Sequence, residues 1–232
     1  MARLARLCIA GQLHLVIQRA RDGEPVLADA ADNDTYLTHL REAAAAASVA
    51  VHAFVLLPTQ VRLLVTPGNQ SALSTMLQAA GRRFVAAYNR RHSRSGALWD
   101  GRFHATVIDA DPYFVECLRF IESTPVQLGL AQEADHWPWS SAAHHTGRRV
   151  VAGLAEHRQF WALGNTPFER EMAYARLLQL PLTEARSRFL ESAALQGWVL
   201  GPASFAEAMA RLAKRRVLPS RRGRLAANGA NA

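Results

Sequence analysis

The order of strand-like and helix-like segments in the first 125 residues restricts the fold more than any other feature. Alternating or continuous apolar and β-branched residues predict strands at residues 13–19, 49–57, 61–65 and 102–108. Apolar residues at helical spacing predict helices from Asp32–Asp34 to about residue 47, from residue 71 to 92, and from Asp111-Pro112 to about residue 123. This order predicts an α+β fold, a ferredoxin-like βαββαβ antiparallel sheet with helices on one face.

The rest of the chain predicts a smaller, all-helical region. We expect a first domain at residues 1–147, a helical C-terminal region at 148–216, and a basic, disordered tail at 217–232. Three helices are predicted at residues 168–178, 183–196 and 204–216. They fit a helix-turn-helix-like module, and equally a helical appendage packed on the first domain.

Basic residues are concentrated in two stretches of this chain, whose net charge is +8. Residues 43–99 contain no acid, and neither do residues 208–232; only one of the 27 basic residues is lysine. Guanidinium groups pair with phosphates and stack on bases, so this pattern favours a nucleic-acid partner. The alternative is an arginine-rich composition with solvated faces. The candidate DNA contacts are Arg62, Arg82, Arg83, Arg90, Arg91, Arg94, Arg102, Lys214, Arg215, Arg216, Arg221, Arg222 and Arg224.

Other classes of protein are disfavoured by the composition. Cys8 and Cys117 are too few for a disulfide scaffold or a four-thiolate zinc site. The longest apolar run, residues 43–57, is interrupted by Ser48 and His52 and is shorter than the roughly 20 residues of a membrane span. We therefore expect a cytoplasmic protein that does not associate with membranes.

Four motifs are spread in a characteristic order over about 60% of the chain: GQLHLVIQR at residues 11–19, HAFVLLP at 52–58, LWDGRF at 98–103 and WPWSS at 137–141. Together they resemble the HUH-type single-tyrosine transposases, most closely the REP-associated tyrosine transposases. The resemblance implies a DNA partner, single-stranded or hairpin, and a homodimer as in many members. In that family two strand histidines and a polar helix residue hold Mg²⁺ or Mn²⁺, and a helix tyrosine attacks the DNA phosphate.

This sequence departs from the family at each of those positions. The histidine positions hold Gln60 and Arg62, the nucleophile position holds Phe120, and the third-ligand position holds Thr124. Arginine repels a divalent cation, by about 8 kcal/mol at 4 Å and an effective dielectric of 20. Phenylalanine has no oxygen with which to attack phosphorus. We therefore expect no metal, no cofactor and no catalytic residue.

The resulting prediction is a DNA-binding pseudoenzyme derived from a mobile-element transposase. Arg62 is expected either to hold a phosphate where the metal sat or simply to be exposed. One alternative is an active transposase in which Tyr113, seven residues before Phe120, is a relocated nucleophile. A second alternative is a decayed transposase remnant or a helical interaction module.

Overall fold

The computed structural model describes residues 6–219. Its sheet is antiparallel, with strand order β2-β3-β1-β4. The strands are β1 (Leu13–Arg19), β2 (Val49–Leu57), β3 (Gln60–Pro67) and β4 (His104–Ile108). The α+β class and the strand order of a ferredoxin-like sheet are confirmed.

Helices account for most of the remaining described residues. They are α1 (Ala30–Ala46), α2 (Ala72–Arg91), α3 (Ala110–Glu122), α4 (Thr124–Gln127), α5 (Ala142–His145), α6 (Arg158–Trp161), α7 (Pro167–Gln179), α8 (Glu184–Gln196) and α9 (Ala203–Ala213). The helices α1 and α3 start before the predicted residue, because another aspartate provides the N-cap. The Asp29 side chain accepts from the Asp32 amide at 2.9 Å at the start of α1, and Asp109 caps α3 in place of Asp111.

The first face of the sheet carries α1 and α2, the two helices of the βαββαβ unit. Tyr36 and Leu40 of α1 and Met76 and Phe84 of α2 are buried against β-strand residues such as Leu63 in one hydrophobic cluster. Burial of whole aromatic and aliphatic side chains contributes about 1.5–3 kcal/mol each. These two helices lie on one face, as the βαββαβ order of elements predicted.

The second face of the sheet is also covered by helices. Leu15 and Ile17 of β1 pack in one cluster with Phe120 of α3, Tyr174 of α7 and Leu190 of α8. The strands are apolar on both sides, which is typical of a sheet buried on both faces. Helices of the C-terminal region therefore complete a core of the first domain's sheet, while the domain boundary near residue 147 stays a prediction.

Both edges of the sheet are occupied by irregular chain. Along β2, the Leu56 amide donates to the Trp139 carbonyl at 2.9 Å and the Ser141 amide donates to the Phe54 carbonyl at 3.0 Å. Along β4, the Leu200 amide donates to the Val107 carbonyl at 2.9 Å. Unpaired edges invite pairing with other chains, so these two segments protect the sheet.

A buried carboxylate connects three of the elements on the second face. Glu122 at the end of α3 is fully buried, and its two oxygens accept from His145 Nδ1 at 2.7 Å, Tyr174 Oη at 2.6 Å and Ser141 Oγ. Because a buried charge is tolerated only when it is paired and hydrogen-bonded, this network fixes α5 and α7 against α3. In residues 6–219 no helix combines the length and the hydropathy needed to span a membrane.

Candidate functional site

The four positions singled out by the motif comparison lie together on the second face of the sheet. Gln60 and Arg62 are two residues apart on β3, so their side chains point to the same face. Phe120 is in the last turn of α3 and Thr124 begins α4, directly above them. The predicted grouping of these residues is therefore present in the fold.

The guanidinium of Arg62 occupies the centre of this group. It donates from NH1 to Thr124 Oγ1 at 3.1 Å and from Nε to Gln60 Oε1 at 3.3 Å. Its Cζ lies 4.4 Å from the centroid of the Phe120 ring. Arg62 is only 6% exposed, so the alternative that it is simply exposed is wrong.

A fifth residue, Glu191 of α8, reaches the site from the C-terminal region. Its Oε1 lies 3.8 Å from Arg62 NH2 and accepts from Arg19 NH2 at 2.9 Å. Arg19 pairs with Gln60 across the β1–β3 ladder, which brings the two arginines to neighbouring strands. One carboxylate thus pairs with two guanidinium groups and leaves one net positive charge. It is still 30% exposed, beside an open polar cavity that Asp100 also lines.

The electrostatics of this pocket favour an anion and oppose a cation. Burial lowers the pKa of Arg62 to about 10, an effect that Glu191 partly offsets, so the group remains charged at neutral pH. The Gln60 and Thr124 oxygens, the candidate metal ligands, already accept hydrogen bonds from this cation. A donor set of two neutral oxygens around a guanidinium does not fit Mg²⁺ or Mn²⁺, which are bound through carboxylates, other oxygens and imidazoles.

Six of the candidate DNA contacts lie on α2 or in the segment after it, and three of these arginines form ion pairs with acids. Arg83 NH1 lies 2.7 Å from Glu42, Arg91 bridges Asp29 and Asp32 at 2.7 Å each, and Arg94 lies 3.4 Å from Glu24. These acids belong to α1 and the segment before it, outside the acid-free window of the sequence. The positive potential of these three arginines is therefore reduced.

The other three, Arg82, Arg90 and Arg102, are exposed and have no ion-pair partner within residues 6–219. Arg82 and Arg102 line one groove between α2 and the turn at residues 97–103. Arg102 also lines a second groove with Arg215 and Arg216, which follow α9. The fold thus joins part of the α2 cluster to part of the C-terminal cluster in one basic strip, Arg82, Arg102, Arg215 and Arg216.

The remaining predicted basic residues differ in position. Lys214 is exposed at the C-cap of α9, with φ +49°. Arg216 lies over the Trp198 ring, with Cζ 5.4 Å from the ring centroid. Arg221, Arg222 and Arg224 lie outside the described residues, as does most of the predicted tail.

Tyr113, the alternative nucleophile, is in the first turn of α3. It is partly buried against the second-face cluster, and the Arg186 guanidinium lies 5.4 Å from its ring centroid. Phe120 is seven residues further along the same helix, about 10 Å at 1.5 Å per residue. Tyr113 is therefore separate from the Arg62 pocket.

Solved structures provide the comparison for this arrangement. The structure of a REP-associated tyrosine transposase bound to a REP hairpin matches with a TM-score of 0.55 and 15% identity, over 68% of this chain and 99% of that chain. The fold is that of a REP-associated tyrosine transposase. The crystal structure of a proposed transposase from Deinococcus radiodurans R1 matches with a TM-score of 0.37 and 19% identity, over 55% of this chain and 93% of that chain. No family model and no curated protein matches the sequence.

Within this transposase fold, sequence reasoning missed Arg19 and Glu191. Arg19 had a usable signal, because β-strand alternation places it on the same face as Leu15 and Ile17. Glu191 had none, since it is 129 residues from Arg62 and only the packing of α8 against the sheet brings it close.

Proposed function

We propose that this protein binds hairpin or single-stranded DNA on a transposase scaffold and does not cleave it. The observation that carries the proposal is the position of the Arg62 guanidinium, which fills the space between Gln60, Phe120 and Thr124. A cation there attracts a DNA phosphate, while the position above it that would hold a nucleophile presents only a hydrocarbon ring. The REP hairpin in the similar structure supports DNA as the partner.

Arg19 and Arg62 are the proposed phosphate contacts of this pocket. Both now share the Glu191 carboxylate, an anion at the position a phosphate would take. A bound phosphate must displace this carboxylate or share the arginines with it, at a cost in affinity. Removal of the Glu191 charge should therefore strengthen DNA binding.

The basic strip supplies the remaining proposed contacts. Its four arginines line two adjoining grooves on the side of the α2–β4 connection. Phosphate contacts of this kind make affinity depend on salt, with a log–log slope of about −0.7 per contact for single strands. With Arg19 and Arg62 these arginines make six contacts, which predict a slope of about −4.2.

The test is a salt series with a labelled DNA hairpin that carries a single-stranded extension, and a duplex of equal length as competitor. Preferred binding of the hairpin with a slope of about −4.2 supports the proposal. A flat salt response, or equal binding of the duplex, would overturn it. Glu191→Gln should tighten binding severalfold, while the control Glu184→Gln, an exposed acid on the same helix, should not.

The rival enzymatic function is tested with the same hairpin in the presence of Mg²⁺ or Mn²⁺. Cleavage through Tyr113 would give a covalent protein–DNA adduct on a denaturing gel, and Tyr113→Phe would abolish it. We expect no adduct from the wild-type protein. The pairing of Tyr113 with Arg186, away from Arg62, gives no observation in favour of the enzyme.

A further inference from the structure

The groove between α2 and the turn at residues 97–103 is the strongest unassigned site in the described part of the chain. It has a volume of about 470 Å³, within the range of about 300–1,000 Å³ that is typical of small-molecule sites. Its walls are mostly apolar, and they include Leu77, Val85, Leu98 and Phe103. Arg82 and Arg102 line its polar part.

Trp99 lies at the buried side of this groove. It is 9% exposed, and its ring packs edge-on against Tyr36, with the centroids 5.6 Å apart. The indole Nε1 is buried and has no hydrogen-bond partner within residues 6–219. Such donors are rare in folded proteins, because an unsatisfied buried N–H costs about 1–3 kcal/mol.

Gly81 lies next to this donor in the wall of the groove. A Cβ at Gly81 would lie 3.8 Å from Trp99 Nε1, so a longer side chain there would cover the indole further. Glycine inside a helix costs about 0.5–1 kcal/mol relative to alanine. A planar group with a carbonyl or ring-nitrogen acceptor, entering past Gly81, would satisfy the indole N–H.

We propose that this groove holds one unpaired base of a single DNA strand. The inference deepens the proposed function. A nucleobase supplies a flat apolar body for the walls and acceptors for Trp99, and its flanking phosphates supply charges for Arg82 and Arg102. The second groove, lined by Arg102, Arg215 and Arg216, continues from the first, so the pair accommodates a strand rather than a free nucleotide.

The affinity of a labelled single-stranded DNA oligonucleotide of mixed sequence tests the site. Ala86 is exposed, small and on the wall of the groove, so Ala86→Phe fills the space, whereas Ala86→Ser preserves it. We expect Ala86→Phe to weaken binding about tenfold, within the range measured for losing one base–protein stacking contact. Arg82→Gln should weaken binding and reduce the salt slope by about 0.7. Arg176→Gln, an exposed arginine on α7 outside both grooves, is the matched control.

The possible results distinguish a base site in this groove from DNA binding elsewhere on the protein. If wild-type protein binds the oligonucleotide but Ala86→Phe and Arg82→Gln behave as their controls do, the groove assignment is wrong and DNA binding stands. Tighter binding of an RNA of the same sequence would overturn the assignment to DNA.

A second readout decides the case in which the oligonucleotide does not bind. The ¹⁵N-labelled protein has five indole signals, and that of Trp99 is identified by its loss in Trp99→Phe. A shift of this signal with millimolar deoxynucleoside monophosphates, absent in Ala86→Phe, supports a base site even without strand binding. An unchanged signal with every monophosphate and with the oligonucleotide refutes it.

Discussion

The guanidinium of Arg62 lies over the ring of Phe120, with Cζ 4.4 Å from the centroid. The motif resemblance predicts that Arg62 is at a strand-histidine position and Phe120 at the tyrosine position. Their contact is a cation–π interaction worth about 0.5–2 kcal/mol, greatest when both groups are desolvated. The two replacements are therefore compatible with each other and stabilise one packed arrangement.

Replacement of Arg62 should destabilise the fold. Arg62→Ala leaves a cavity, removes the stacking on Phe120, and leaves Gln60 and Thr124 without the donor they share. We expect a loss of about 2–4 kcal/mol in the free energy of unfolding, measured by urea denaturation. Arg62→Lys keeps the charge but has no planar guanidinium to stack on Phe120 and no Nε–H for Gln60, and should lose about half as much. Equal stability of wild type and Arg62→Ala would show that the pocket contacts do not form.

Replacement of an arginine without an ion pair should weaken DNA binding more than replacement of an ion-paired arginine. Arg102 is exposed with no ion-pair partner in residues 6–219, whereas Arg83 is bound to Glu42 at 2.7 Å. Arg102→Gln should therefore weaken binding and lower the salt slope by about 0.7, whereas Arg83→Gln should change both much less. If the two variants lose the same affinity, the ion pairs of α1 do not shield α2.

The buried network around Glu122 should be sensitive to the loss of one hydroxyl. Tyr174→Phe leaves Glu122 Oε2 without its donor in a fully buried position. We expect a cost of about 1–3 kcal/mol in unfolding free energy. Tyr88→Phe, which removes a hydroxyl that makes no hydrogen bond to a described residue, is the control and should cost less. The reverse order would mean that the Tyr174–Glu122 hydrogen bond does not stabilise the fold.

The free energy of unfolding should decrease as the pH is lowered from about 6.5 to 4, because of His14. Burial lowers the pKa of His14 to about 4, and its ring is held by the Gln12 carbonyl and the Ile9 amide. The unfolded chain, with a pKa of about 6.5, then binds more protons between pH 6.5 and 4, so stability decreases as pH falls through this window. His14 contributes at most about 3 kcal/mol to the free energy of unfolding in this way. Denaturant midpoints of wild type and His14→Gln should therefore converge toward pH 4; a constant difference would contradict a neutral buried imidazole.

The sheet could be predicted from the sequence because each strand is marked by a local run of apolar and β-branched residues. β2 has the predicted bounds, and the strand order followed from the succession of elements. The start of α1 could not be predicted as well, because Asp29, Asp32 and Asp34 are all acceptable N-caps and only tertiary contacts select among them.

The site was predictable only in part. The register of β3 and the helix after β4 bring Gln60, Arg62, Phe120 and Thr124 together, as the motifs predicted. The pairing of Arg62 with Glu191 depends on how α8 packs, and the shielding of Arg91 depends on acids of α1 that precede it by about sixty residues. Such long-range pairs leave no periodic signal in the sequence.

The most direct measurement of the central claim incubates the protein with a labelled DNA hairpin and Mn²⁺ and divides each sample between a native and a denaturing gel. The account predicts a shifted complex on the native gel, weakened by Arg62→Ala, and unmodified DNA on the denaturing gel. Cleaved DNA, or DNA linked covalently to any tyrosine of this chain, would contradict it.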